Sequence, residues 1–138
     1  MSHKVFVYGT LKRGFPNHHY MKTSKLIGAY RTAERYPLVV GGRHFSPSLF
    51  PEPGTGKHVI GELWEVDDET LVKLDELETV HLPTGYRREM AKIEPVEGGA
   101  TTQAWTYFRE RSRVPVIHAE GLDDYQDRRY VAEPDRKG

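Results

Sequence analysis

The stretch LVKLDELE, residues 71 to 78, carries three carboxylates on one helix-forming segment. A carboxylate does proton chemistry at neutral pH when burial lifts its pKa, so the direction each one points decides its use. Leu71, Leu74 and Leu77 share an apolar face centred near Leu74. At about 100° per residue, Glu78 falls roughly 40° from that centre, Asp75 about 100° and Glu76 about 160°. The wheel therefore predicts that Glu76 meets water and that Glu78 leans inward. An inward glutamate is costly unless it is paired or hydrogen-bonded. Two roles are open to Glu78: a general acid or base, or a helix-end partner for an arginine such as Arg87 or Arg88.

A second stretch, VFVYGTLKRG, residues 5 to 14, runs four apolar or aromatic residues into Gly9. Glycine adopts backbone angles closed to other residues, and it lets another group come close. Successive amides in such a turn can line an anion-binding concavity. Gly9 and Gly14 have the outer spacing of a phosphate-binding P-loop, but Phe15 and Pro16 stand where that motif needs Lys and then Ser or Thr. Local physics alone favours an ordinary strand-ending turn.

Other side chains are weaker candidates. Tyr86, Tyr107 and Tyr130 offer both a ring and a hydroxyl for a pocket, although strand tyrosines more often simply pack. Arg87 and Arg109 can hold a carboxylate bidentately, but a solvent-exposed role is the expectation for each. The seven histidines lack the spacing of a metal site, so no metal and no cofactor is expected.

The elements that must position these groups are short. Strands are expected at Val5–Tyr8, Leu26–Thr32, Tyr36–Val40, Val59–Val66, Tyr86–Ile93 and Gln103–Phe108. Val5–Tyr8 reads as buried on both faces. Gly61 suggests a bulge or a close backbone approach. His18–Met21 suits one helical turn. Asp67 and Asp68 offer an N-cap to a helix over Thr70–Glu78. Phe45–Gly56, with three prolines and two glycines, reads as a loop. The last thirty residues are polar and weakly patterned, with a tail from about residue 119. Its basic stretch (Arg128, Arg129, Arg136 and Lys137, interspersed with Asp127, Glu133 and Asp135) reads as solvated. Together these give one α+β domain over 1–138, built on a small curved sheet or barrel.

Composition excludes several function classes. The 138 residues carry zero formal net charge, which argues against a nucleic-acid partner. There are no cysteines, hence no thiol nucleophile and no disulfide. No apolar stretch approaches the roughly 20 residues that span a bilayer. A soluble, cytoplasmic protein without a membrane partner is expected.

Tyr8-Gly9-Thr10-Leu11 together with Leu74-Asp75-x-x-Glu78 resembles the γ-glutamylcyclotransferase-like proteins. The longer opening, through Lys12-Arg13-Gly14 and Pro16-Asn17-His18, is most similar to the γ-glutamylamine cyclotransferase branch. The resemblance covers most of residues 4 to 110. It departs at Phe15, where relatives carry a polar residue, and at Thr79–Pro83, which follow the matched glutamate. It implies a small mixed β-barrel flanked by a few helices, with Glu78 catalytic. Tyr8, Gly9, Thr10 and Leu11 would grip a small γ-glutamyl substrate, and Tyr86, Tyr107 and Tyr130 would line its pocket. The implied reaction is cyclisation of a γ-glutamyl amide, γ-glutamyl-ε-lysine being one, to 5-oxoproline with release of the free amine. The alternative is a non-catalytic barrel that binds a carboxylated metabolite or a protein partner. Neither the leaving amine nor the oligomeric state is legible in the sequence.

Overall fold

Val5, Phe6 and Val7 are 0, 0 and 2 % exposed, so the first strand is buried on both faces as its apolar run requires. Phe6 and Tyr8 point into one core with Leu38, Leu49, Leu63 and Phe108. Val5 and Val7 point into a second with Leu71, Leu74 and Trp64. In the computed structural model, which describes residues 2–132, these two cores organise the chain. The elements are β1 (Ser2–Val7), a 3-10 turn (His18–Met21), β2 (Lys25–Thr32), β3 (Leu38–Gly41), β4 (Ser46–Leu49) and β5 (Ile60–Asp67). Then come α1 (Asp68–Leu77), β6 (Arg87–Pro95), β7 (Thr102–Phe108), a second 3-10 turn (Arg111–Arg113) and β8 (Ile117–Ala119).

Strands β1, β5, β2, β6 and β7 close a mixed barrel in that order. Its one parallel contact is β1 with β7, where Val5 faces Trp105. A three-stranded sheet, β4-β3-β8, stands beside it. Gly61 is a close approach, since a Cβ there would sit 2.3 Å from the Val7 carbonyl oxygen. The bulge falls instead on β2, between Leu26 and Gly28.

Two strands correct the sequence reading. β4 lies inside the segment read as a loop. Proline is a turn signal, but it is tolerated on an edge strand, and β4 is an edge of its sheet. β8 lies in the segment read as unpatterned; three residues are too few to show a period.

The segment beyond β8 is held against the barrel. The Tyr125 side chain is fully buried, and its hydroxyl donates to the Phe45 carbonyl at 2.9 Å. Its ring packs on Phe15 at 5.8 Å between centroids, which gives the apolar Phe15 its use. Lys12, buried at 6 % exposure, donates to Asp124 at 2.6 Å and to the Tyr125 carbonyl at 2.8 Å. Arg128 donates to the Gly14 carbonyl at 2.7 Å. Of the basic stretch read as a solvated tail, Glu133, Asp135, Arg136 and Lys137 lie outside the described residues.

Lys12→Met should therefore cost about 2–3 kcal/mol, the scale for charged hydrogen bonds lost from a largely buried site. The loss is held below that of a fully buried pair because Asp124 is a third exposed. Denaturant unfolding reads it. A change under about 0.5 kcal/mol, the range of an ordinary surface substitution, would mean that Lys12 does not hold this segment.

Candidate active site

Helix α1 starts where Asp67 accepts the Thr70 amide at 2.8 Å. It stops at Glu78, its C-cap. The Thr79 amide donates to Glu76 and the Val80 amide to Asp75, the paired bonds of a Schellman ending. Thr79 takes the left-handed position, φ 50°, where glycine is usual. This ending turns the chain back, and the Tyr86 amide closes the excursion on the Glu78 carbonyl at 3.0 Å. Glu76 is exposed, Asp75 and Glu78 are half-buried, and Leu74 is fully buried, as the helix wheel requires.

Glu78 lines an open cavity of about 320 Å³. The same cavity takes in Tyr8, Gly9, Thr10, Leu11, Tyr86, Tyr107 and Tyr130, so the residues named for catalysis and substrate binding meet in one place, while Arg87 stays outside it. The polypeptide between Gly9 and Leu11 turns tightly, with the Lys12 amide on the Gly9 carbonyl and the Asn17 amide on the Thr10 carbonyl. Among the described residues, no acceptor meets the amides of Gly9, Thr10 and Leu11. Gly9 is not in the left-handed region. Its need for glycine comes from Pro47, whose Cγ would lie 2.5 Å from a Cβ. Conformational freedom is thus the wrong reason for this glycine, and close approach the right one.

The tyrosines are held by backbone. The Tyr8 hydroxyl donates to the Tyr107 carbonyl at 2.6 Å, and the Tyr86 hydroxyl donates to the Pro47 carbonyl. The Tyr107 hydroxyl donates to Asp75 at 2.8 Å, and Asp75 also accepts from Arg88 at 2.8 Å. Arg87 pairs with Glu89 and Glu110. The two arginines considered as partners of Glu78 thus serve other carboxylates. Asn17 bridges the Thr10 hydroxyl at 2.9 Å and the Tyr130 hydroxyl at 3.0 Å, tying the C-terminal segment to the Gly9 turn.

Burial pushes the Tyr86 phenol up to about 12, with the Glu78 charge adding to it. Burial likewise raises Tyr8 and Tyr107, with Glu78 again contributing. All three stay neutral hydrogen-bond donors at physiological pH. The unfolded chain ionises these groups first as pH rises. Their stabilising contribution is therefore complete below about pH 10 and is lost above it, at roughly 1.4 kcal/mol per pH unit for each phenol still neutral in the fold. Melting temperature measured from neutral to alkaline pH should be flat and then fall steeply. A decline that begins well below pH 10 would point to other groups.

Several cavity residues carried no mark as site residues in the sequence. Asn17 sat inside a recognised stretch without a role. Pro47 was hidden in an apparent loop. His44 carried no spacing signal. Arg109 was named as able to hold a carboxylate but expected to be exposed; it is half-buried, lies 5.1 Å from the Tyr86 ring centre and lines the cavity.

Residues 5–132 match the family model described as "Gamma-glutamyl cyclotransferase, AIG2-like". A Drosophila melanogaster protein provisionally named a gamma-glutamylcyclotransferase is 45% identical over 132 residues, 92% of this chain and 82% of that one. The Bos taurus gamma-glutamylaminecyclotransferase is 38% identical over 128 residues, 88% of this chain and 74% of its own. The crystal structure of an AIG2-like protein from Mus musculus superposes with a TM-score of 0.81 at 31% identity, covering 98% of this chain and 99% of that one. Motif, barrel and relatives agree: the chain belongs to the gamma-glutamyl cyclotransferase, AIG2-like family.

Proposed function

We propose that this protein is a γ-glutamylamine cyclotransferase, converting γ-glutamyl amides to 5-oxoproline and a free amine. The observation that carries this reading is the meeting, in one open cavity, of Glu78 with a turn whose amides at residues 9 to 11 meet no acceptor among the described residues. The cavity has the size of a small-molecule site. Relatives named gamma-glutamylaminecyclotransferase support the substrate class.

The reaction asks little covalent chemistry of the protein. The substrate's α-amine attacks its own γ-carbonyl carbon, a five-membered ring closes, and the amide C–N bond breaks. The tethered nucleophile needs a curled conformer, which the cavity walls can enforce. Glu78 takes one proton from the α-ammonium and hands it to the departing nitrogen, then takes the second from the ring nitrogen once that is bonded to the γ-carbon and passes it to the released amine, which leaves as an ammonium ion, so the carboxylate is regenerated each turn. The oxyanion formed on the γ-carbonyl oxygen needs donors, and in this reading the amides of the Gly9 turn supply them. The neutral phenols of Tyr8, Tyr86 and Tyr107 surround Glu78 without competing for its proton.

A panel of γ-glutamyl amides and dipeptides, followed by mass spectrometry, tests the reading. The expected product is 5-oxoproline, released without added metal or nucleotide, with amide substrates preferred over dipeptides. Glutamate as the product would mean hydrolysis and overturn the mechanism. Loss of activity to a chelator, restored by metal, would overturn it too. An open cavity holding both Glu78 and Gly9, rather than one filled by side chains, favours this reading over a non-catalytic barrel that binds a carboxylated metabolite or a protein partner.

A further inference from the structure

Arg109 follows β7 directly and reaches the cavity wall. Its backbone amide donates to the Leu49 carbonyl at 3.0 Å, and its Nη2 donates to the Thr84 carbonyl at 3.1 Å. Its Nε is buried and meets no acceptor among the described residues. A buried donor on a cation is costly to leave unmet, and native structures seldom do so without a use. Nε and Nη2 lie on one planar fork, and the partner such a fork fits best is a carboxylate.

The location narrows which carboxylate. The Arg109 charge favours ionisation of Tyr8 and Tyr86, the same two phenols on which the Glu78 charge acts in the opposite sense. Base and cation therefore act on one pair of rings, and all four groups line the same cavity. In an amino acid, the nitrogen and the carboxylate carbon hang from one atom, about 2.5 Å apart. A site that brings the α-amine to Glu78 must find the α-carboxylate close beside it.

Resting on the reaction proposed above, we propose that Arg109 binds the α-carboxylate of the γ-glutamyl substrate, leaving the amides of the Gly9 turn for the γ-carbonyl oxygen. This division of labour explains selection for the γ-linkage. An α-glutamyl amide has no carboxylate at that place, because its α-carboxyl group is the amide. A γ-glutamyl amide of any amine keeps it, so the anchor is indifferent to the leaving group.

The test compares two substrates with the same leaving amine: the γ-glutamyl amide, and the 4-aminobutyryl amide that lacks only the carboxylate and cyclises to 2-pyrrolidinone. Arg109→Met should lower kcat/KM for the first about 10- to 100-fold, mainly through KM, the scale of a charge-assisted pair. For the second it should change kcat/KM less than about threefold. Arg109→Lys, which keeps the charge but not the fork, should show the same selectivity with a smaller loss, and it carries the test if the Met variant does not fold. Equal losses on both substrates, or none on either, would overturn the anchor while leaving the reaction standing. A wild-type protein that releases no 5-oxoproline from the γ-glutamyl amide would overturn both.

Discussion

Glu78→Gln should fold and bind substrate yet turn it over at least ~10²-fold more slowly, the usual scale for losing general acid–base catalysis. Glutamine keeps the shape of the side chain but can neither take the ammonium proton nor deliver it to the leaving nitrogen. Stability should hardly fall, because Glu78 is the C-cap of α1, where the helix dipole disfavours an anion. Glu76→Gln is the control. It stands on the exposed face, and its rate should stay within about threefold of wild type, under ~1 kcal/mol in barrier. Asp75→Asn should fall between the two, since Asp75 grips the Tyr107 hydroxyl and Arg88 without lining the cavity. Turnover and melting are measured side by side for all three. Near-normal turnover in Glu78→Gln, or a larger loss in Glu76→Gln, would place the proton chemistry on the wrong carboxylate.

Gly9→Val is the second large effect. Even a Cβ at this position meets the Pro47 ring at 2.5 Å, and a β-branched side chain adds more bulk. Either the turn or β4 must move. The Pro47 carbonyl holds the Tyr86 hydroxyl, so movement of β4 carries a cavity wall with it. A misplacement on the order of 1 Å costs about 10²-fold in rate, and kcat/KM should fall by at least that much. Overpacking should cost about 1–3 kcal/mol of stability, so the variant remains worth assaying. Gly14→Ala separates the two kinds of glycine. Gly14 has φ 84° with open space around it, so its replacement strains the backbone without touching the cavity. Its stability should drop by about 1–2 kcal/mol with kcat/KM nearly intact. A folded Gly9→Val protein with wild-type kinetics would show that the turn does not shape the site.

What the sequence made legible is what local periodicity determines. The burial of Val5 to Val7 follows from an unbroken apolar run, and the opposite fates of Glu76 and Glu78 follow from a spacing of about 3.6 residues, both of which neighbours in the chain impose. Gly61 could be read as a close approach because a glycine inside a strand has few other uses. Gly9 could be marked but not explained, since its constraint comes from Pro47, 38 positions later in the sequence. Arg109 could be marked, with Arg87, as able to hold a carboxylate, but it was expected at the surface. Only the barrel places its Nε where no acceptor reaches it. Tyr125 sits among polar residues, and its burial depends on Phe15 and Phe45, which no periodic signal connects to it. Contacts of that kind are properties of the closed fold, so the inward lean of Glu78 was easier to see than the walls of its cavity.

The closure of the barrel by β1 on β7 also governs how the cavity comes into being. Its lining is drawn from Phe6 through Tyr130, nearly the whole described length of the chain. Pairing Val5 with Trp105 requires a long loop to close before any contact rewards it. Such topologies fold on the slower, millisecond-to-second side of the range. During synthesis the Gly9 turn emerges first and stays shapeless until β7 and the Tyr125 segment arrive. Until β7 arrives, the apolar edge of β1 stands open to a second nascent chain. A chain stalled before β7 therefore presents an aggregation-prone edge and no pocket, and the arrival of β7 both covers that edge and brings Tyr107 and Arg109 to the cavity.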